Sequence, residues 1–229
     1  GHSGGAMAAE QVLLKARQNL EIYNPGEPPD EFLASIIDEA HVVIKLTRFT
    51  SEQDPHSTAV LLLLHGGRAD WAHTGDSRLY HFRGDTLMHL SGDHSLVAEM
   101  VRKGSLTSDQ AKSYPHKNVL IGCLGGDREP MIDLGTVASL QAGDVFLLCS
   151  DGLWAYFDPA ELGGVLSAHS PREAAEVLIN RARQRGEGAG DNISLVIVKL
   201  SDPEAEKQRK AKAEALVARK MQGHGQRPG

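Results

Sequence analysis

Residues 6–20 carry apolar side chains at helical spacing, Met7, Val12, Leu13, Ala16 and Leu20, and predict an opening helix. Asn24 to Asp30 (NPGEPPD) is a proline-rich break. Asp30 stands where an N-cap would start a second helix, whose stripe is Phe32, Ile36, Ile37, Ala40 and Ile44. Two such helices pack as a pair. From Ser57 the rhythm shortens to apolar runs cut by glycine turns: STAVLLLL, RADWAHTG, DSRLYHF and TLMHLS. That pattern predicts a meander of antiparallel strands, with hairpins at Gly66-Gly67 and Gly84-Asp85.

Residues 94–118 return to helical character, with a second start at Thr107-Ser108-Asp109, and read as a helical flap inserted between strands. Strands resume at NVLIGCLGG, MIDLGTVASL and VFLLCS, a helix follows over 171–185, and ISLVIVKL closes the folded pattern. Residues 1–200 therefore read as one domain. Residues 201–229 are charged and nearly free of large apolar side chains, which predicts a disordered or solvated-helical tail.

Composition narrows the function. A net charge of −6 gives no general electrostatic reason to bind nucleic acid or an anionic membrane. The chain has two cysteines, Cys123 and Cys149, in apolar settings, and no apolar run long enough to span a bilayer. A cytoplasmic protein is expected.

Candidate chemistry lies in three aspartates at strand ends beside glycines: Gly75-Asp76-Ser77, Ser150-Asp151-Gly152 and Gly190-Asp191-Asn192. A single Asp-Gly or Asp-Asn is ordinarily a turn. Three behind apolar strands suit hard divalent cations, Mg²⁺ or Mn²⁺, which take oxygen ligands. Asp151 ends the apolar run VFLLC, and a carboxylate there needs a cation or a proton. No G-x-S-x-G elbow, phosphate-binding glycine loop, Cys-x-x-Cys or zincin histidine spacing occurs. Histidines 56, 65, 73, 81 and 89 fall about one per strand and read as surface or satisfied strand residues.

The order STAV, GDSRLYHFRGD, SGDHSLV, HKNVLIGCLGG, LCSDGLW, GDNISLVIV resembles the metal-dependent serine/threonine protein phosphatases of type 2C (PPM), particularly the bacterial members, over roughly residues 1–200. The resemblance implies an α+β fold, an αββα four-layer sandwich of two antiparallel sheets flanked by helix pairs. It implies hydrolysis of phosphoserine and phosphothreonine in proteins by a metal-activated water, with two or three Mg²⁺ or Mn²⁺ ions and a serine/threonine kinase in opposition. By motif, Asp151 and Asp191 match metal ligands, and Asp76 matches the aspartate that helps hold a third, weaker metal. Asn192 reads as a residue holding Asp191, and Arg78 as a structural pairing residue.

Bacterial members carry Asp-Gly-Met-Gly-Gly-His before the first helix, and this chain opens at Gly1-His2. The resemblance thus implies an N-terminally truncated chain and an incomplete sandwich, with further ligands before residue 1. His2 is a candidate proton donor or a loop residue. Two other readings compete: a non-catalytic phosphatase-like binding module, and an unrelated binding domain in which the three aspartates are turns.

Overall fold

The computed structural model describes residues 4–50, 52–116, 119–188 and 190–201. The predicted tail and His2 lie outside the described residues, apart from Ser201.

Helices α1 (Gly5–Ile22) and α2 (Pro29–Thr47) form the expected pair. The whole α2 stripe is buried: Phe32, Ile36, Ile37, Ala40 and Ile44. Asp30 is not the cap. Pro28 holds that position and Pro29 opens the helix, because a proline ring presets φ and its missing N–H costs nothing in the first turn. Asp30 and Glu31 then sit in the first turn, where carboxylates favour the positive end of the helix dipole.

Among the described residues seven strands follow: β1 (Ala59–His65), β2 (Arg68–Thr74), β3 (Arg78–Arg83), β4 (Thr86–Leu90), β5 (Asp133–Val137), β6 (Asp144–Cys149) and β7 (Leu195–Lys199). They make two antiparallel sheets, ordered β1-β2-β5 and β4-β3-β6-β7. The expected single meander is therefore two hairpins in different sheets. The chain changes sheet between Thr74 and Arg78, at Gly75, whose φ is +102°. A Cβ on Gly75 would lie 2.3 Å from Thr58 Cγ2, so only glycine passes this point.

The stretch 118–126 was expected as a strand. Among its described residues only isolated bridges occur, Ser95 with Leu120 and Ser57 with Leu124. Its backbone N–H groups are taken locally: Ile121 and Gly122 both donate to His94 O, and Leu124 donates to Ser57 O. The flap itself forms short helices α3 (Leu96–Arg102) and α4 (Ser108–Lys112), the latter capped by Thr107.

Three further helices complete the element order: α5 (Asp151–Trp154), α6 (Pro159–Ala168) and α7 (Pro171–Arg185). Helix α6 was not anticipated, although Asp158 accepts from Glu161 N at 2.7 Å and Pro159 follows it, a legible start signal. Its internal Gly163-Gly164 masks the helical pattern, and Gly163 is where the helix closes on Asp85 O.

The layers are α, β, β, α. Helices α1 and α2 bury Val12, Ile37 and Ile44 against Ala59 and Ala72 of the three-stranded sheet. Helices α6 and α7 bury Leu162, Leu166 and Leu178 against Phe82, Val145 and Leu147 of the four-stranded sheet. Ala69, Trp71, Leu79 and Phe146 pack between the sheets. Among the described residues no helix is long and apolar enough to cross a membrane.

Candidate active site

Sheet register brings the three aspartates to one end of the sandwich. Arg78 at the start of β3 pairs with Cys149 at the end of β6, and Cys149 pairs with Leu195 at the start of β7. Asp76 lies just before β3, Asp151 just after β6, and Asp191 shortly before β7. Residues far apart in sequence thus become neighbours because antiparallel strands place starts beside ends.

Hydrogen bonds staple these loops together. Ser150 N donates to Ser194 O at 3.0 Å, and Ser194 N returns a bond to Ser150 Oγ at 3.0 Å. Ser150 Oγ donates to Asn192 O at 3.2 Å. Each carboxylate is oriented by the N–H that follows it: Gly152 N to Asp151 Oδ1 at 2.9 Å, Asn192 N to Asp191 Oδ1 at 2.7 Å. Gly152 is where the two loops touch, since a Cβ there would lie 2.3 Å from Asn192 O.

Arg78 ties a third loop to the others. Its guanidinium forms a two-point pair with Asp93, Nε to Oδ1 at 2.8 Å and Nη2 to Oδ2 at 2.7 Å, and stacks 3.5 Å above the Trp154 ring. Trp154 Nε1 donates to Asp76 O at 2.9 Å. His94, next to Asp93, donates its N–H to Gly75 O at 2.9 Å and accepts from Gly75 N through Nδ1 at 3.2 Å. The loop carrying Asp76 is therefore held by α5 on one side and by the root of the flap on the other. Asp93, His94 and Trp154 had no assigned role in the sequence, because their partners are non-local.

The electrostatics favour a bound cation. Burial, then the charges of Asp151 and Asp93, push the Asp76 carboxyl up to about 6, against the smaller opposing effects of a backbone hydrogen bond and Arg78. Burial, then the charge of Asp191, also raises Asp151. Carboxylates that repel one another while being desolvated lack positive charge. Arg78 does not supply it, since its two strongest bonds go to Asp93. An all-carboxylate oxygen donor set of this kind fits Mg²⁺ or Mn²⁺.

A cleft of about 640 Å³ contains Asp76 and Asp151, while Asp191 lines the adjoining depression with Gly152 and Asn192. A separate group, His73, His94 and Asp133, gathers ligand atoms within 4.8 Å of one another. His73 and His94 are buried, and His73, one of the histidines expected to be surface or satisfied strand residues, bonds Gly92 O through Nε2 at 2.7 Å. His94 Nδ1 is occupied as an acceptor, so its Nε2 keeps the proton and the trio offers two lone-pair donors rather than three.

No protein-family model matches the chain. Individual proteins do. Protein phosphatase PhpP of Streptococcus pneumoniae is 30% identical over 210 residues, covering 90% of this chain and 84% of that protein. The chain belongs to the metal-dependent (PPM, type 2C) serine/threonine protein phosphatase family. The serine/threonine phosphatase of S. agalactiae superposes with a TM-score of 0.79 at 27% identity, over 88% of this chain and 84% of that one. The catalytic domain of the serine/threonine protein phosphatase PstP, solved in complex with two manganese ions, superposes at 0.72 with 26% identity, over 86% and 82%.

For this PPM phosphatase the contact at Gly152 makes a sharp prediction. Gly152→Ala is expected to cost about 1–3 kcal/mol in urea unfolding, the usual penalty for an overpacked site. By prising the Asp151 and Asp191 loops apart it also raises the Mn²⁺ concentration needed for half-maximal activity. An unchanged Mn²⁺ requirement would show that the two loops need not touch.

Proposed function

We propose that the protein hydrolyses phosphoserine and phosphothreonine in protein substrates, using Mg²⁺ or Mn²⁺ held by Asp151 and Asp191, with Asp76 holding a further, weaker ion. The observation that carries this reading is the convergence of three carboxylates, of which Asp76 and Asp151 are raised in pKa by burial, with the nearest guanidinium committed elsewhere. The manganese ions of the PstP catalytic domain support the choice of metal. Bound divalent cations at such a site polarise phosphoryl oxygen and lower the pKa of water to make a nucleophile near neutral pH.

The chain's own residues provide the frame. Gly152 N and Asn192 N orient two carboxylates through one oxygen each. Arg78, stacked on Trp154 and paired to Asp93, keeps the Asp76 loop in register with α5. Loops anchored at strand ends and stapled by these hydrogen bonds therefore set the spacing on which hydrolysis depends. A serine/threonine kinase in opposition and a cytoplasmic location belong to the same proposal. The test is release of phosphate from a phosphoserine peptide by the chain with added Mn²⁺. Hydrolysis that EDTA abolishes supports the reading, and hydrolysis that persists in EDTA refutes it.

A further inference from the structure

Helix α3 contains no buried residue, and its Val97, Ala98 and Val101 are half-buried. These three form a wall of the cleft that contains Asp76 and Asp151. Trp154 and Ala155 of α5 contribute to the lining, as does Ala111 of α4. An aliphatic surface thus borders the phosphate-handling carboxylates directly.

Most polar groups in the cleft are already committed, although the exposed Ser108 hydroxyl also lines it. Arg78 is bound by Asp93, Tyr80 and the Trp154 ring, and Ser95 Oγ accepts from Ala98 N as the cap of α3. Among the described lining residues Arg78 is the sole cation, so no uncommitted positive charge awaits an acidic side chain. Further along α3, Arg102 and Lys103 pair with Glu99. The negative charges are the metal-holding Asp76 and Asp151 and the neutralised Asp93. What remains for a visitor is chiefly apolar contact, with the Ser108 hydroxyl beside it.

We propose that this cleft is a substrate subsite that takes an aliphatic side chain flanking the phosphorylated residue. The occupant follows from continuity: a peptide whose phosphate reaches Asp76 and Asp151 must run past the α3 wall, since both line one cavity. The proposal rests on the phosphatase reading and names the substrate feature that site selects. Burying one leucine side chain there improves affinity about tenfold or more over alanine.

The experiment uses the chain with Mn²⁺ and peptides carrying a non-hydrolysable phosphonate analogue of phosphoserine. Leucine, alanine or glutamate is placed at the two positions on either side. Leucine in at least one position is expected to lower Kd about tenfold relative to alanine, and glutamate there to raise it. Val101→Asp, which charges the wall, and Ala98→Trp, which fills the cleft, should each erase the leucine advantage. Both should leave Mn²⁺ affinity within about twofold, because neither position is among the carboxylates proposed to hold the ion. Equal Kd for leucine and alanine at every position overturns the proposal, as does a leucine advantage that survives both variants. If p-nitrophenyl phosphate is hydrolysed but no preference exists, the subsite fails alone. If the preference exists without any hydrolysis, the phosphatase reading fails and the apolar cleft stands.

Discussion

Asp151→Asn is expected to lower Mn²⁺-dependent hydrolysis by about 10³-fold while making the metal-free protein more stable. The first effect follows from losing a carboxylate from the proposed metal site, where bound cations would supply several kcal/mol of transition-state stabilisation. The second follows from the same charge. Burial and Asp191 hold the Asp151 carboxyl above its ordinary range, and Asp76 is pushed up to about 6. A carboxyl whose folded pKa exceeds its unfolded value, ~3.9, binds more protons when folded. Its stabilising contribution is complete below about pH 4 and is lost as pH rises through the folded pKa, about 6 for Asp76. The metal-free protein should thus lose melting temperature between about pH 4 and 7 relative to Asp76→Asn and Asp151→Asn, and Mn²⁺ should restore it. Thermal melts with and without EDTA across this range check both signs.

Asp144→Ala is expected to cost about 3–5 kcal/mol, the penalty for breaking a buried ion pair from one side. Asp144 is fully buried at the start of β6, the strand that ends at Asp151. It accepts from Arg83 Nε at 2.8 Å, Arg83 Nη2 at 3.2 Å and Gln141 N at 2.7 Å, with His81 Nε2 3.1 Å away. Burial alone would raise its pKa, but the Arg83, Gln141 and His81 partners together pull it below the ordinary value. Its contribution is therefore present above about pH 4 and lost as pH falls through the depressed folded pKa. Denaturant unfolding of wild type and variant at pH 7 measures the loss. A cost under about 1 kcal/mol would mean that Arg83 and His81 are resolvated without penalty.

Local patterns made much of this fold legible. The α2 stripe, helix 171–185 and the two glycine hairpins depend on neighbours within a few residues, and all appear where the periodicity placed them. Alternation could not tell which sheet each hairpin joins. That choice is made at Gly75 by contact with Thr58, residues apart in the pattern but adjacent in space. The stretch 118–126 looked like a strand because it is apolar, yet its backbone bonds to His94 and Ser57 instead of a ladder. At the site the three aspartates were visible beside their glycines. Arg78 was read as a pairing residue, but its partners Asp93 and Trp154 were not legible, because stacking and two-point pairing across loops leave no sequence period.

The central claim is that the carboxylates at this end of the sandwich hold divalent cations. Calorimetric titration of the chain with Mn²⁺, near pH 6 and in buffers of different ionisation enthalpy, tests it most directly. Wild type should bind Mn²⁺ and release protons, because a raised carboxyl must ionise to become a ligand. Asp151→Asn and Asp191→Asn should each weaken that binding markedly, with smaller proton release in Asp151→Asn. Mn²⁺ affinity and proton release unchanged in both variants would contradict the account.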